Sequence, residues 1–272
     1  MDPVMLLGLL AVGVLAGALG TLFGLGGGII FVPVLTILFG LTPSEAAAVS
    51  LVGIIAASVG AASFYVEKEV ANIRLGLLLE ITTSLGAIAG AAAAVYLQDW
   101  ILLVVFSAVL LYSGLRMALN PERVVEHCEA GGFSIRYRDL REDAYVTCSV
   151  QNVKGGLLGC GLAGMLSSMT GVGGGSIKVP LMNVYMHVPI KTAAATSSYM
   201  IGITAFSGAI TYYLGGSIIL DVAGAMAVGA FAGSIIGTRI SKRMDASPMR
   251  RYMSVILFTI SAIVLLRAGG IL

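Results

Sequence analysis

A chain of 272 residues that is 58% hydrophobic and 11% charged, with a mean hydropathy of +0.98, carries more apolar surface than a water-soluble domain of that size can bury. A net charge of +2 without a basic tail or stripe gives nucleic acid no electrostatic footing, and three cysteines without a CxxC spacing supply no metal-ligand pattern. The chain therefore reads as an all-α polytopic membrane protein with the lipid bilayer as its solvent and no cofactor.

Apolar windows long enough to cross about 30 Å of hydrocarbon as helices fall near residues 4–24, 44–66, 73–96, 100–119, 155–171, 192–213, 219–239 and 251–268. The first follows Asp2 with no basic n-region, so it reads as part of the fold and not as a cleaved signal peptide. It runs into GLGGGIIFVP at 24–33. Residues 4–40 as one straight helix would span roughly 55 Å, nearly twice the hydrocarbon, so the segment must bend, and the glycines are where backbone leaves helical geometry most readily. The following stretch, 29–41, covers roughly 20 Å, enough to pass from a surface to just beyond the midplane. Residues 4–41 thus read as a re-entrant hairpin with a glycine tip.

Sliding the sequence along itself by 147 aligns 15–90 with 162–237 without a gap, and about 21 positions are identical. Gly24 and Gly26–Gly28 meet Gly171 and Gly173–Gly175, Pro33 meets Pro180, the Ala46–Ala48 triplet meets Ala193–Ala195, Ser50 meets Ser197, and Tyr65 meets Tyr212. Two homologous repeats follow, 1–119 and 155–272, the second with its own hairpin at 155–188. Between them, 120–154 is the one long polar stretch. Its FSIRYRDLREDAYVTCSV alternates apolar and polar residues about a charged turn, a β-hairpin signal in a small soluble loop. His127, Cys128 and Cys148 there could form part of a zinc site, but two reduced thiols in a solvated loop is the preferred reading; Cys160, in an apolar helix, reads as inert packing.

If each hairpin enters and leaves on one face, each repeat adds three full crossings, and an odd number inverts the second repeat. The loops 66–74, 120–154, 188–192 and 239–251 then share one side, collecting Lys68, Arg74, Arg123, Arg136, Arg138, Arg141, Lys154, Lys191, Lys242, Arg243, Arg250 and Arg251, against little beyond Arg267 opposite. By the positive-inside rule that side, with the 120–154 loop, is cytoplasmic, in a multi-pass protein of the cell (plasma) membrane. Four parallel crossings per repeat would split these clusters between compartments.

Non-helical backbone survives in a bilayer only when buried in protein or lining a cavity. Two inverted tips would meet near the midplane, and each opens a helix, at about Ile29 and Ser176, whose first amides lack internal partners and carry positive partial charge. Gly26, Gly27, Gly28, Gly173, Gly174 and Gly175 thus read as the backbone of an anion site, while Gly86/Gly90 and Gly229/Gly233/Gly237 have the small-xxx-small spacing of helix packing. Lys178, two residues past the second tip, fits two roles: counter-charge for the anion, or a lysine that snorkels or pairs with Glu80. Glu80 reads as that partner or as a proton-coupling group. Thr170, Ser176, Ser197, Ser198, Ser50, Asn183 and Tyr199 are candidate donors around the cavity.

The doubled G-[LV]-G-G-G followed by Val-Pro, with AAATSS at 193–198, resembles the sulfite exporter TauE/SafE family of membrane permeases, and the resemblance spans both repeats. Ser198 stands where the family pattern has Asn, and Val49 where Thr is common. The resemblance implies about eight membrane segments in repeats of four and a substrate among sulfite, sulfonates such as sulfoacetate, and related small sulfur anions. The expected function is a secondary transporter of such an inorganic or organosulfur anion, with room for a homo-oligomer; an anion-selective channel is the alternative. No P-loop is present, and with His127 and His187 the only histidines there is no catalytic constellation, so an enzyme is not expected.

Overall fold

The structure, a computed structural model, describes residues 3–94, 96–119, 133–139, 144–243 and 246–268. His127 and Cys128 lie outside them. Each half is built from the same succession of elements. The first comprises α1 (Pro3–Phe23), α2 (Gly28–Leu38), α3 (Pro43–Glu67), α4 (Ile73–Ala94) and α5 (Asp99–Leu119). The second comprises α6 (Val153–Thr170), α7 (Gly175–Pro180) running into a π-helical turn (Leu181–Tyr185), α8 (Ile190–Leu214), α9 (Leu220–Arg243) and α10 (Ala246–Ala268). Among the described residues, four helices, α1, α3, α4 and α9, are long and apolar enough to cross a membrane by length and composition, and large apolar side chains such as Ile81, Leu85, Phe206 and Leu214 face outward.

Local chemistry sets the boundaries. Thr42 and Glu45 form a reciprocal capping box with Pro43 in the first turn, which fixes the start of α3. The glycine tips end α1 and α6: Gly24, Gly26 and Gly27 have φ of 70, 80 and 87°, and Gly171, Gly173 and Gly174 have 72, 82 and 80°. No residue with a Cβ adopts such a run at low cost.

Contacts between helices fix their relative directions. Gly13 approaches Met226 and Gly229 and Gly17 approaches Ala230, while Gly233 and Gly237 reach Val14 and Ala18, so α1 and α9 run the same way. So do α4 and α6, through Gly86 on Gly161 and Gly90 on Met165. A methyl group at Gly17 would sit 2.3 Å from the Ala230 carbonyl and one at Gly90 2.0 Å from that of Met165; these backbones touch because the side chains are missing. Helix α3 also follows α9, with Gly60 at Ser234 and Tyr65 at Ser241. By contrast α3 opposes α8: Leu51 lies beside Gly208, whereas Ser58 donates to the Ser198 carbonyl. Helices α5 and α10 likewise oppose each other, with Ser107 and Ser261 donating to one another's carbonyls and Gly114 beside Leu257.

The polar stretch holds a two-stranded antiparallel sheet, β1 (Phe133–Asp139) and β2 (Ala144–Val150), with Phe133 opposite Val150. Its alternation puts Ile135, Cys148 and Val150 into the core. It is docked on two other loops. Arg138 N donates to Glu69 O, Asn72 Nδ2 to Arg136 O, Gln151 N to Met186 O and Asn152 Nδ2 to Tyr185 O. The 66–74 and 120–154 basic loops therefore meet at one end of the molecule, beside the turn at Tyr185 and Met186 that leads toward the 188–192 loop.

Candidate functional site

The two glycine tips pack on each other in a reciprocal pattern. A methyl at Gly28 would lie 2.4 Å from the Gly171 carbonyl oxygen, and one at Gly175 would lie 2.1 Å from that of Gly24. Each carbonyl is held by a serine from the other half: Ser50 Oγ donates to Gly171 O at 2.6 Å and Ser197 Oγ to Gly24 O at 2.9 Å. The alanines preceding those serines make room, since Gly24 packs against Ala194 and Gly171 against Ala47. Shifting every number by 147 turns each of these contacts into its counterpart.

Ile54 and Ile201 stand at the centre. Each is twelfth in a 25-residue helix, α3 or α8, and both lie against Gly26 and Gly173. The tips thus sit level with the middle of the two longest helices, and the isoleucines close the space beside them. Beyond each tip the first bonded amides are Ile30 and Phe31, both to Gly27 O, and Ile177 and Lys178, both to Gly174 O. The amides of Gly28, Ile29, Gly175 and Ser176 precede them, in positions that have no i−4 carbonyl.

The candidate hydroxyls separate into two groups. Ser50 and Ser197 are spent on the opposite tip, Thr170 donates back to Leu166 O at 2.7 Å, and Asn183 braces the turn through Val188 O. Tyr199 packs against Gly76 of α4. Ser176 and Ser198, in contrast, are buried with no hydrogen-bond partner for their hydroxyls, as are Ser167 and Ser168 at the end of α6. A buried hydroxyl without a partner forfeits about 1–3 kcal/mol, so Ser176, directly after the second tip, and Ser167, 3.2 Å from a methyl placed on Gly174, mark a place beside that tip where a polar guest would be stabilised, whereas Ser168 lies beside Gly208 of α8.

Lys178 is fully buried. Its Nζ lies 3.4 Å from Glu80 Oε2 and donates to Thr204 Oγ1 at 2.5 Å; Thr204 Oγ1 in turn donates to Glu80 Oε1 at 2.6 Å, and Ser84 Oγ donates to the same oxygen at 2.9 Å. Glu80 is 3% exposed, so this is a desolvated ion pair held by hydroxyls from α4 and α8. The lysine stem passes Gly174, whose added methyl would meet Lys178 Cε at 3.3 Å and Ser167 Oγ at 3.2 Å. The network therefore abuts the second tip. Sequence reasoning named Lys178 and Glu80 but missed Thr204, Ser84, Ser167 and the isoleucines. A signal existed for three of the polar groups: across the offset of 147, Thr204, Ser84 and Ser167 face Ala57, Phe231 and Gly20.

Cys148, on β2 of the hairpin, is buried with its thiol toward His187 O, and Cys160 is buried in α6; among the described residues no group of His, Cys, Asp and Glu could hold a metal ion.

The family model described as sulfite exporter TauE/SafE matches residues 9–264. The chain is 27% identical over 259 residues to the probable membrane transporter protein YunE of Bacillus subtilis, covering 93% of this chain and 94% of that one. It is 25% identical to a probable membrane transporter protein of Haemophilus influenzae, over 93% of each. A 62-residue stretch, 23% of this chain and 14% of the relative, is 36% identical to sulfite exporter TauE/SafE family protein 5 of Arabidopsis thaliana. No solved structure matches.

Proposed function

The chain belongs to the sulfite exporter TauE/SafE family, a multi-pass membrane transporter and not an enzyme, and on that premise we propose that it is a secondary transporter of small sulfur-containing anions. The substrate class is sulfite, sulfonates such as sulfoacetate, and related oxyanions. The anion binds at mid-membrane where the two GGG tips meet, held by the backbone around Gly26–Gly28 and Gly173–Gly175, by the hydroxyls of Ser176 and Ser198, and by Lys178. The observation that carries this reading is the reciprocal packing of the tips at the centres of α3 and α8.

The architecture proposed around it is a pair of inverted repeats. Every helix whose direction is fixed supports this: α3 opposes α8 and α5 opposes α10, while α1 runs with α9 and α4 with α6. Because α1 and α3 both follow α9, α2 returns between them, the course of a re-entrant hairpin. The end where the β-hairpin meets the 68–72 and 186–189 loops is the cytoplasmic one by its lysines and arginines. With Ile54 and Ile201 against the tip glycines, the site is closed in this conformation. Transport then requires the tips to part on one side at a time, as repeats rock about a central site.

Binding to the purified protein tests the site, with thermal stability as the readout and sulfite, sulfate, thiosulfate, sulfoacetate, taurine and chloride as the panel. Stabilisation by one or more sulfur anions, but not by chloride or zwitterionic taurine, is expected. Stabilisation by none, or by chloride as strongly as by the rest, would refute it. Saturable uphill flux in proteoliposomes separates this transporter from an anion channel.

A further inference from the structure

The ion pair beside the second tip has an internal control in the first half. Across the offset of 147, Lys178 corresponds to Phe31, Glu80 to Ala227 and Thr204 to Ala57. Phe31 is fully buried and packs against Gly27 and Gly53, so the same scaffold closes over an entirely apolar version of this site. A buried ion pair contributes little net stability and is often replaceable by apolar residues of similar volume. Here the chain itself makes that replacement. The fold has no need of a charge pair behind a glycine tip, and retains one on a single side only.

Resting on the anion-site reading above, we infer that the Glu80–Lys178 pair is a charge-balanced exchanger which makes the protein a proton–monoanion co-transporter with one off-axis site. With Glu80 ionised, its carboxylate occupies the lysine and the core is neutral. An anion that bound then would leave an uncompensated negative charge in a desolvated interior, which is costly. With Glu80 protonated, Lys178 is free to donate to the anion, and the core is neutral again. One proton and one monovalent anion therefore enter together. Release runs in reverse: the anion leaves Lys178, Glu80 loses its proton to water, and the pair re-forms. No net charge moves, and the empty carrier, itself neutral, returns without a passenger.

Two consequences follow from the same count. A dianion leaves the site at minus one even with Glu80 protonated, so monoanions are preferred. Among the described residues the groups that face the carboxylate are Lys178 from α7, Thr204 from α8, Ser84 one turn along α4, and the Cys160 thiol from α6, within electrostatic reach of both charges. Among these, Glu80 is the only carboxylate.

Methanesulfonate, a fixed monoanion, and sulfate, a dianion, are the probes, with sulfite alongside. Affinity of the purified full chain for methanesulfonate should rise as pH falls, approaching about tenfold per pH unit, the limit for one proton taken up per anion. In proteoliposomes loaded with a pH-sensitive dye, an inward methanesulfonate gradient should acidify the lumen, at a rate unchanged by an imposed membrane potential. Glu80→Gln should abolish the acidification and leave methanesulfonate affinity independent of pH, because Lys178 is then always free. The double variant Glu80→Gln, Lys178→Met, which restores a neutral site like that of the first half, should fold and bind neither probe. If the parent binds methanesulfonate with the same affinity at all pH, takes it up without acidification, or prefers sulfate, the exchanger is overturned while the anion site stands. If the parent binds methanesulfonate, sulfite and every other sulfur anion of the binding panel no better than chloride, both readings fall. Should Glu80→Gln not fold, the parent's pH dependence and proton flux still decide.

Discussion

Gly175→Ala puts the tip-to-tip packing to its sharpest test. The new methyl would lie 2.1 Å from Gly24 O and 2.7 Å from Leu25 Cα, against the 3.4 Å at which ordinary contact begins, so the tips would have to separate by about 1.3 Å (3.4 − 2.1). Both obstacles are backbone, and the Gly24 carbonyl is tied to Ser197. They cannot swing aside as a side chain would, so the cost falls at the upper end for overpacked cores, about 3 kcal/mol. At about 2–4 °C per kcal/mol for a chain of this size, the melting temperature should drop by about 6–12 °C. Gly28→Ala meets Gly171 O at 2.4 Å and should behave alike, a little more mildly. Gly224→Ala in α9, where nothing lies within 4 Å, is the control that should leave stability unchanged or slightly raised. The assay is thermal unfolding of purified protein in detergent micelles with and without sulfite. If Gly175→Ala and Gly28→Ala melt with the control and respond to sulfite like the parent, the tips do not touch as described, and the central site goes with them.

Ser50→Ala and Ser197→Ala each remove the clasp on one buried carbonyl and should lower stability by about 1–3 kcal/mol, nearly equally; a large asymmetry in denaturation would show that the two tips are not held alike. Lys178→Met alone strands the buried Glu80 carboxylate and should cost about 3–5 kcal/mol, whereas adding Glu80→Gln should recover most of it, a double-mutant cycle that fails if the two effects simply add. Asn72→Ala removes both the carbonyl that caps α4 through Leu75 N and the bond to Arg136 O, so Cys148, 1% exposed in the parent, should become reactive to a hydrophilic maleimide; continued protection would mean the hairpin does not depend on that residue.

Much of the fold was legible because it rests on local rules. The apolar windows became helices within a few residues, since in a bilayer the backbone has no other partner than itself. The glycine runs became the breaks because no other residue accepts three positive φ angles in four positions. The FSIRYRD and AYVTCSV strands followed from alternation alone, although their docking on Glu69, Asn72 and Met186 did not.

The candidate site was legible in part. Lys178 and Glu80 stood out because charge in an apolar helix is expensive wherever it lies. Ser50 and Ser197 stood out as polar residues in helical alanine runs, but a hydroxyl accepts whatever partner folds beside it, and theirs proved to be the carbonyl of the opposite tip.

By itself the sequence determined that the chain lives in a membrane and that its helices break at two glycine triplets. These are properties of composition and of single segments. Only the tertiary structure decided that each tip is clasped by the other half, that Ile54 and Ile201 close the space between them, and that Lys178 meets Glu80 across 98 positions of sequence. An offset of 147 says which residues correspond, but not which touch; that depends on how closely small residues let two backbones approach, a distance that exists only once the helices have packed.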